Sequence, residues 1–363
     1  MHDGSPQEAD IDYLKALLQE EGLSLAAVAE AVDLPRKERA FREFLSRGYA
    51  GSMSYLHDHL PLRYRPGKLV PGARSILFVA LNYYRSLPER PRSGSGTASG
   101  RVARYAWGRD YHKVIGNRLR RVSRRLRAAY PREEFRPFTD ATPLSERVYA
   151  ARGGLGFHGR NTLLINPELG SWFLIGEIIS SLRLPATQHP EPERAHCPPG
   201  CRRCLHACPT GAIYAPHRFN AALCVSYLTI EEKGSIDPAL RPGLQDWVFG
   251  CDRCQEVCPL NRSVPDTKVE DFRRDNAGPF LSLEGLLSLE SDDDVRERFA
   301  GSPLLRAKRR GLVRNACVVA GNLRAQALLP RLKELATGDT DPIVREHAAW
   351  AVERLESPVR PDQ

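Results

Sequence analysis

The sequence predicts an α+β protein with a mixed helix and strand region on its N-terminal side, a cysteine-rich middle and a helical C-terminal region. The apolar run SILFVALN at 75–82 indicates a buried strand. Eight of the nine cysteines lie between Cys197 and Cys258. Helical patterns resume after this part, from residue 303 onward. We therefore expect three domains, at residues 1–185, 186–275 and 276–363.

The N-terminal region alternates predicted helices with predicted strands. Asp10 caps the first predicted helix, which Gly22 ends, and Ser24 is a candidate N-cap for the second. The apolar pattern then predicts, in chain order, helices over 24–32, 37–47 and 55–65, a strand over 75–82, a loop rich in Pro, Gly and Ser over 85–101, helices over 111–130 and 144–151, and strands over 162–165 and 171–179. A proline-rich join over 185–199 leads into the cysteine-rich middle.

The C-terminal region contains two similar helical segments, around 314–316 and 341–348. Paired helices of this kind indicate a short HEAT-like repeat. Two repeats bury little surface by themselves, so we expect this region to lean on the cysteine-rich domain. Cys317 falls within the helical pattern and is interpreted as a small buried apolar residue.

The composition is basic, with a formal net charge of +9 from 53 Lys+Arg against 44 Asp+Glu. This balance fits a polyanionic partner, nucleic acid first, and fits a merely soluble surface equally well. Many arginines crowd the predicted helix 111–130, whose polar face is either a solvated surface or a set of phosphate contacts. The sequence has neither a run of about 18 apolar residues nor the apolar core of a signal peptide, so we expect no membrane span. Because the thiols must stay reduced to act as ligands, we expect a cytoplasmic protein.

The cysteines form two runs of the pattern C-x-x-C-x-x-x-C-P, from Cys201 to Pro209 and from Cys251 to Pro259. This is the spacing of a bacterial two-cluster ferredoxin, in which the cysteine before the proline serves the other cluster. A zinc ribbon would supply paired C-x-x-C knuckles without the C-P ending, and a disulfide scaffold suits a small secreted chain. The pattern therefore favours two [4Fe–4S] clusters.

The exchange of the last cysteine assigns the ligands of each cluster. We expect the cluster-one set to be Cys197, Cys201, Cys204 and Cys258. We expect the cluster-two set to be Cys208, Cys224, Cys251 and Cys254. The gap between Cys197 and Cys201 is one residue longer than the usual spacing, and Gly200 is placed to absorb the extra residue in a bulged turn.

Two further patterns have an ordinary interpretation beside a functional one. Residues 154–159 form G-x-G-x-x-G, but a predicted helix precedes this stretch and a strand follows it, which is the reverse of a dinucleotide site. Asp110 and His112 nearly match the D-x-H-x-x-G signature of cobalamin ligation, with the glycine one position late, so we interpret them as pocket residues or as an ordinary helix cap. Asp140, read alone, is more often an N-cap than a catalytic acid.

Taken together, these stretches resemble the epoxyqueuosine reductase family over most of the chain. The matching segments are FTDATPLSER at 138–147, GGLGFHGRNTLLINPELGSWFLIG at 153–176, CLHACPTGAI at 204–213, CVSYLTI at 224–230, GCDRCQEVCPLN at 250–261 and LVRN at 312–315. The resemblance implies a cobalamin-dependent enzyme with two [4Fe–4S] clusters, in which the N-terminal region is a cobalamin-binding reductase-like α/β domain. It implies the last step of queuosine biosynthesis, the reduction of epoxyqueuosine to queuosine at the wobble position of tRNA with a GUN-type anticodon.

The resemblance also implies roles for particular residues. Asp140 matches the proton donor, for which we expect a raised pKa, and Asp110 and His112 join its polar network. The corrin pocket, with the cofactor base-off, would use Arg63, Ala103, Asp140, Asn161, Leu164, Ile175, Ser226, Cys251 and Asp252. The candidate tRNA contacts are Lys233, Arg309, Arg310 and Arg314, each of which is otherwise a solvated charge. An external flavodoxin- or ferredoxin-like protein would supply electrons to a monomer.

Two other functions compete with this interpretation. A corrinoid iron–sulfur reductase of small molecules, similar to the reductive dehalogenases, would share the cofactors but has no use for the basic helix and the HEAT-like tail. A ferredoxin-like electron carrier with no substrate of its own would not need the long N-terminal region.

Overall fold

The fold was analysed in a computed structural model, which describes residues 10–23, 25–90, 98–140, 142–185, 187 and 196–358. The polar residues 1–9, part of the predicted loop at 91–97, and most of the proline-rich join lie outside the described residues. No helix among the described residues is long and apolar enough to cross a membrane.

Eleven strands are arranged in sheets within the described residues. Their bounds are β1 Leu25–Glu30, β2 Ser75–Asn82, β3 Ser99–Val102, β4 Phe135–Phe138, β5 Phe157–His158, β6 Leu164–Ile165, β7 Phe173–Ser180, β8 Ile213–Ala215, β9 Arg218–Phe219, β10 Trp247–Phe249 and β11 Phe280–Ser282. The main sheet has the order β1-β2-β7-β4, and every neighbouring pair in it is antiparallel.

Helices surround these sheets and make up most of the C-terminal region. Their bounds are α1 Ile11–Glu20, α2 Pro35–Ser46, α3 Tyr55–Asp58, α4 Leu60–Arg63, α5 Pro66–Leu69, α6 Tyr111–Ala129, α7 Glu146–Arg152, α8 Arg203–His206, α9 Val225–Ile230, α10 Arg253–Glu256, α11 Glu270–Arg273, α12 Leu283–Leu287, α13 Asp292–Arg298, α14 Lys308–Asn322, α15 Leu329–Gly338 and α16 Pro342–Glu356. Short 3-10 turns, such as Arg104–Ala106, connect several of them.

The predicted helix over 24–32 is wrong, because this segment is strand β1 at the edge of the main sheet. Its side chains alternate between two cores: Ala27 and Ala29 pack on one face of the sheet, and Val28 packs on the other. Alanine and glutamate favour helices locally. Pairing with all but the last two residues of β2 outweighs that preference, since strand formation depends on neighbours distant in sequence.

The predicted helix over 111–130 is confirmed as α6, which packs across the main sheet. Its apolar stripe is buried and includes Ile115, Leu119 and Val122. Gly176 of β7 permits this close approach, because a Cβ atom there would lie 2.4 Å from a methyl carbon of Ile115. The first turn of α6 is therefore held at a fixed place above the sheet, and that turn carries the polar site described below.

A second sheet joins segments that are far apart in sequence. Strand β3 pairs in parallel with β10 and antiparallel with β11, so one small sheet contains all three predicted regions. Trp107, which follows β3, is buried in the same core as the C-terminal helices and donates a 2.7 Å hydrogen bond to the Val102 carbonyl. The segment after residue 98 is thus held against the C-terminal part of the molecule.

Helix α14 fastens the C-terminal helices to the cysteine-rich part. Asn315 is fully buried, and its amide donates to the carbonyls of Thr229 and Val248 at 2.9 Å each. Arg314 is equally buried and donates to the carbonyls of Leu228, Glu232 and Gly234. These bonds satisfy backbone acceptors that would otherwise be buried without partners. The expectation that the C-terminal helices lean on the cysteine-rich domain agrees with these contacts.

Candidate active site

The cluster-one cysteines lie together around a small cavity. Cys197, Cys201, Cys204 and Cys258 all line it, together with Arg160 and Asn161. Burial and then the neighbouring Cys197 raise the pKa of Cys204 to about 11. Burial raises the pKa of Cys258, with smaller contributions from Cys197 and Cys201. The last cysteine of the second run has thus joined the first run, as the exchange rule predicts.

The cluster-two cysteines form the second group. Burial, followed by Cys251 and Cys224, raises the pKa of Cys254 well above its ordinary value. Cys208 contributes to the raised pKa values of Cys224, Cys251 and Cys254. The structure therefore places the four predicted cluster-two residues close enough to interact, even though Cys208 comes from the first run.

The longer turn of the cluster-one set is built as the sequence predicts. Gly200 has φ +68°, a conformation that favours glycine, and the Cys201 amide donates back to the Pro198 carbonyl at 3.1 Å. The backbone amide of Arg160 points at the Cys197 sulfur, 3.4 Å away. Cys197 therefore sits with its set despite the extra residue. Cys317 lies in α14 and is fully buried among apolar side chains, as predicted.

The chemistry of these thiols fits iron–sulfur clusters. Each set offers four soft sulfur donors, the ligand type that holds [4Fe–4S] clusters. Burial raises the pKa of the Cys251 and Cys254 thiols, so ionised sulfur at these two places requires a neighbouring positive centre, which cluster iron would supply. Among the described residues, no three His, Cys, Asp or Glu side chains converge closely enough for one metal ion.

The second half of the site is a polar group around Asp140, between β4 and α7. Asp140 has φ +50°, an unusual conformation for a residue with a side chain. Its carboxylate accepts a short hydrogen bond from the Tyr111 hydroxyl, and His112 Nε2 lies 3.7 Å from the same oxygen. The other ring nitrogen of His112 lies 2.7 Å from Asp110, the N-cap of α6. The predicted network of Asp140, Asp110 and His112 is therefore assembled.

The charges in this group differ from the prediction for Asp140. Burial alone would raise the pKa of Asp140, but His112 and Tyr111 lower it below its usual value. The expected raised pKa is therefore wrong for the structure, because two hydrogen-bond donors stabilise the carboxylate. Burial opposes a charge on His112 as well, yet Asp110 and Asp140 raise the pKa of His112 to about 9. Near neutral pH the proton is thus on His112 and Asp140 is ionised.

Two glutamates that the sequence reasoning missed stand behind Asp140. The backbone N–H of Asp140 donates to Glu146 Oε1 at 2.9 Å. Glu177 lies on β7 and is fully buried. Burial and then Asp140 raise the pKa of Glu146 to about 8, while burial and then Glu146 raise that of Glu177 well above its usual value. The only sequence signal for Glu177 is an acidic residue inside an otherwise apolar strand.

A chain of aromatic rings connects the polar group to the cluster-two set. Tyr105 packs edge-on against Tyr111, with ring centroids 6.1 Å apart, and lies 6.2 Å from the ring of Phe249. Phe249 precedes the Gly250-Cys251 turn of the cluster-two set. After burial, the charge of Asp140 is the largest influence on the pKa of Tyr105, which is raised far above its ordinary value. Tyr105 therefore lies between the candidate proton donor and the candidate electron path.

The predicted corrin-pocket residues come from two parts of the molecule, the cluster side and the N-terminal region. On the cluster side, the Ala103 amide donates to Phe249, and a Cβ atom at Gly250 would lie 2.5 Å from the Ala103 methyl group. Asp252 is buried and accepts from the backbone and guanidinium of Arg104, so its carboxylate is already satisfied by the protein. Ser226 lies in the first turn of α9, and its carbonyl is a 3.4 Å acceptor for the Thr229 hydroxyl, which in turn accepts from the Gly250 amide.

The other side belongs to the N-terminal region. Leu164 and Ile175 pack in the core cluster that also contains Phe138, two residues before Asp140. Asn161 is buried beside the cluster-one cavity. Arg63 packs over the ring of Phe41 at 4.5 Å, and its Nε is buried without a hydrogen-bond partner among the described residues.

The candidate tRNA residues fall into two groups. Lys233 and Arg310 are exposed, whereas Arg309 bonds to buried Asp339 and Arg314 is occupied by backbone carbonyls. Arg314 therefore has no surface to offer to RNA, and its predicted contact is wrong for this structure. Lys233 donates to the carbonyl of Arg306 at 3.1 Å, and the charge of Arg306 reaches Asp140. A cationic rim, Lys233 and Arg306, thus lies beside the polar group.

The arginine-rich face of α6 is divided between its two interpretations. Arg121 is paired with Glu21, and Arg125 is paired with Glu20, both at the end of α1. A cavity of about 600 Å³ lies along the same stretch of the helix, next to Pro137, and is lined by Arg120, Arg121, Arg124 and Arg127. Part of this face is therefore a set of ion pairs at the protein surface.

Two sets of four sulfur ligands next to a hydrogen-bonded acid and imidazole define an iron–sulfur oxidoreductase. Profiles of two families match the chain: "Epoxyqueuosine reductase QueG, DUF1730" over residues 63–141 and "4Fe-4S double cluster binding domain" over residues 196–261. The epoxyqueuosine reductase of Xanthomonas campestris is 36% identical over 342 residues, which are 93% of this chain and 94% of the relative. The chain belongs to the epoxyqueuosine reductase family.

Solved structures agree with this assignment. An epoxyqueuosine reductase with a tRNA-Tyr epoxyqueuosine-modified tRNA stem loop has a TM-score of 0.87 and 28% identity, covering 95% of this chain and 90% of its own. The epoxyqueuosine reductase of Bacillus subtilis, with its catalytic aspartate loop swung out of the active site, has a TM-score of 0.86 and 28% identity, covering 96% and 91%. The predicted resemblance, and the mixed helix and strand fold with a double-cluster domain, are confirmed.

Proposed function

We propose that this chain reduces epoxyqueuosine to queuosine in tRNA, as an oxidoreductase of tRNA modification that carries two [4Fe–4S] clusters. The observation that carries the proposal is the row of contacts from Asp140 through Tyr111, Tyr105 and Phe249 to the turn of Cys251. It supports a proton-handling group at Asp140 and an electron-delivering group at the cluster-two cysteines, joined by aromatic side chains. The family relatives, including one solved with an epoxyqueuosine-modified stem loop, support the substrate.

The reaction requires electrons and protons, and the residues of the site account for both. Conversion of an epoxide to an alkene takes up two electrons and two protons and releases one water. Clusters deliver electrons singly, and a positioned acid must protonate the oxygen as it leaves. Asp140 is assigned to this oxygen: it accepts the proton of His112 and passes it on. The lowered pKa of Asp140 fits a relay. Its carboxylate is ionised at rest and becomes protonated only while His112 transfers a proton through it.

Cobalamin is the cofactor proposed for the space between these groups. The residues fit a large ligand: the Asp140 side chain keeps 59% of its surface open although protein surrounds it, and Arg63 Nε has no hydrogen-bond partner among the described residues. When bound, the cofactor would supply a strongly reducing cobalt centre. Arg63, Ala103, Ile175 and Ser226 would hold it. Both nitrogens of His112 face carboxylates, which fits a base-off cofactor that His112 does not ligate.

The finer architecture is also part of the proposal. We assign residues 1–185 to cobalamin binding, 186–275 to the clusters and 276–363 to a HEAT-like helical domain, supported by the close packing of α14, α15 and α16. Cluster two would be the nearer electron donor and cluster one the entry point. An external flavodoxin- or ferredoxin-like protein would reduce a monomeric enzyme.

Anaerobic reconstitution tests this function. The purified chain is supplied with iron, sulfide and cobalamin, reduced chemically, and given tRNA that carries epoxyqueuosine. We expect queuosine in the digested tRNA, detected by mass spectrometry, and no reduction of small organohalides. Organohalide reduction without binding to the modified tRNA would instead establish a small-molecule corrinoid reductase.

The pH dependence of the rate follows from His112. Its pKa is raised to about 9, so its proton is present below that pH and is lost as the pH rises through it. We expect the single-turnover rate to fall as the pH rises above 9. Asp140 does not cause this fall, because its lowered pKa keeps its carboxylate ionised over the whole alkaline range. A pH profile of wild type against His112→Gln measures this, and an unchanged profile in the variant would contradict the assignment.

The two exposed candidate tRNA residues make a second measurable contribution. Replacing Lys233 of the cationic rim, or Arg310 on α14, by alanine removes one positive charge each, so we expect weaker binding of modified and unmodified tRNA alike. Each loss reduces the slope of log affinity against log salt by about 1. Filter binding or anisotropy over a salt series measures the slope. Lys15→Ala on α1 is the matched control and leaves it unchanged; equal slopes in all variants would remove these residues from the RNA surface.

A further inference from the structure

The proposed function accounts for one proton donor, but epoxide reduction consumes two protons. Asp140 and His112 hold one mobile proton between them near neutral pH. A second proton must come from bulk solvent or from another protein group. Bound tRNA and cofactor would cover Asp140 and limit the access of water, so a group inside the protein is the more direct source.

Glu177 and Glu146 form the other acidic group at this place. Glu177 is fully buried in the central strand β7, flanked by Phe78 of β2 and Phe138 of β4. It shares one face of the sheet with Ile175 and Ile179, the face covered by the core cluster that contains Tyr149 of α7. An acidic side chain on such a face contributes nothing to apolar packing and is costly to bury as an ion.

The surroundings of Glu177 require a proton between the two glutamates. Neither oxygen of Glu177 has a short hydrogen bond from a donor group among the described residues. The charged groups acting on Glu177 are the carboxyls of Glu146 and Asp140; Arg147 acts on Glu146, not on Glu177. The half-buried Glu146 raises the tendency of Glu177 to hold a proton, and two neighbouring carboxyls in a poorly hydrated place share a proton rather than both ionise. The raised pKa values of both residues agree with this geometry.

The pair lies next to the candidate proton donor, to whose backbone Glu146 is hydrogen-bonded. Glu146 Oε1 accepts the backbone N–H of Asp140, which holds the Glu146 carboxyl against the Asp140 turn. The row therefore runs from Glu177 in the core, through Glu146, to Asp140 at the open space. Its inner end, Glu177, is fully buried, and its outer end, the Asp140 side chain, is open to the side where the proposed function places the substrate.

We propose that the Glu146–Glu177 pair stores one proton and supplies it, through Asp140, as the second proton of epoxide reduction. Asp140 first passes the proton of His112 to the oxygen freed when the first carbon–oxygen bond breaks. The proton of the pair then moves from Glu146 to the emptied Asp140 carboxylate and leaves with the oxygen as water, when the second carbon–oxygen bond breaks. The two electrons come from the clusters, and solvent restores both protons after product leaves. This inference rests on the proposed function.

Infrared spectroscopy tests the stored proton without turnover. In the full-length iron–sulfur protein, we expect a C=O stretching band of a buried protonated carboxyl that persists at pH 7 and shifts in D₂O. Glu177→Gln removes the band or moves its titration to lower pH, because Glu146 loses its partner. Glu38→Gln is the control: Glu38 is ion-paired with Arg42 and Arg65, so its loss leaves the band unchanged. A wild-type band that survives in Glu177→Gln and in Glu146→Gln overturns the proposal.

Single-turnover kinetics tests the use of that proton. We expect Glu177→Gln and Glu146→Gln each to lower the single-turnover rate by about 10- to 100-fold. This is less than the loss of a group that itself protonates the substrate, because the pair acts through Asp140. Glu146→Asp restores part of the rate, and tRNA affinity stays at the wild-type value. If Glu177→Gln does not fold, Glu146→Gln decides alone; a wild-type rate and pH profile there overturns the proposal. Absence of epoxyqueuosine reduction by the wild type would instead defeat the proposed function, while the infrared band still reports on the pair.

Discussion

Asp140→Asn is expected to lower the rate of epoxyqueuosine reduction by about 100- to 10,000-fold, the usual contribution of a positioned proton donor. Asparagine keeps the size of the side chain and tolerates the left-handed backbone that Asp140 adopts at φ +50°. It also keeps a hydrogen-bond acceptor for Tyr111. What it loses is the ability to receive a proton from His112 and release it to the substrate oxygen.

The measurement is single turnover of modified tRNA by the reconstituted enzyme, together with tRNA binding. Binding should remain within a few-fold of the wild type, because the exposed Lys233 and Arg310 are untouched. Asp10→Asn serves as the matched control, since Asp10 caps α1, packs near Tyr130 and is not part of the polar group. A fully active Asp140→Asn enzyme would remove Asp140 from the reaction.

Cys254→Ala is expected to abolish turnover and to remove one cluster, lowering iron from about eight to about four atoms per chain. Cys254 is half-buried beside the other cluster-two cysteines, so its loss opens that set and leaves the cluster-one set complete. Iron and acid-labile sulfide analysis of anaerobically purified protein measures the change. Cys317→Ala is the control, because Cys317 is packed in α14 among apolar residues and should keep the full iron content.

Double variants separate the exchanged assignment from one that follows chain order. Cys204→Ala with Cys258→Ala removes two ligands of the cluster-one set, so about four iron atoms should remain. Cys254→Ala with Cys258→Ala affects both sets, although these residues are four apart in sequence, and should leave almost none. The reverse result, with more iron in the second double variant, would show that each run of cysteines serves its own cluster.

Much of the fold could be predicted, because the apolar patterns and cysteine spacings that indicate it lie within short stretches of sequence. The apolar run at 75–82 became strand β2 and the amphipathic stretch at 111–130 became helix α6, since both patterns are complete within one element. The cysteine sets also follow from spacing, because a C-P ending fixes the direction of the last sulfur. The predicted helix over 24–32 is wrong because its alanines favour a helix locally, and only pairing with β2 makes the segment strand β1.

The chemistry of the site was harder to predict, because it depends on neighbours distant in sequence. The pKa of Asp140 is lowered by His112 and Tyr111, whose positions become known only when α6 crosses the sheet. Arg314 was interpreted as a surface cation, yet its guanidinium is enclosed by carbonyls of the cysteine-rich part. In the sequence, Glu177 is only a single acidic residue within a buried strand. Its relation to Glu146 appears only in the folded structure.

The small sheet of β3, β10 and β11 has a consequence for synthesis of the chain. Strand β3 emerges from the ribosome long before its two partners, Trp247–Phe249 and Phe280–Ser282. The segment that carries Ala103 and Tyr105 therefore stays without its native neighbours until most of the polypeptide has been translated. We therefore expect the metal centres beside it to assemble only after most of the chain has been made.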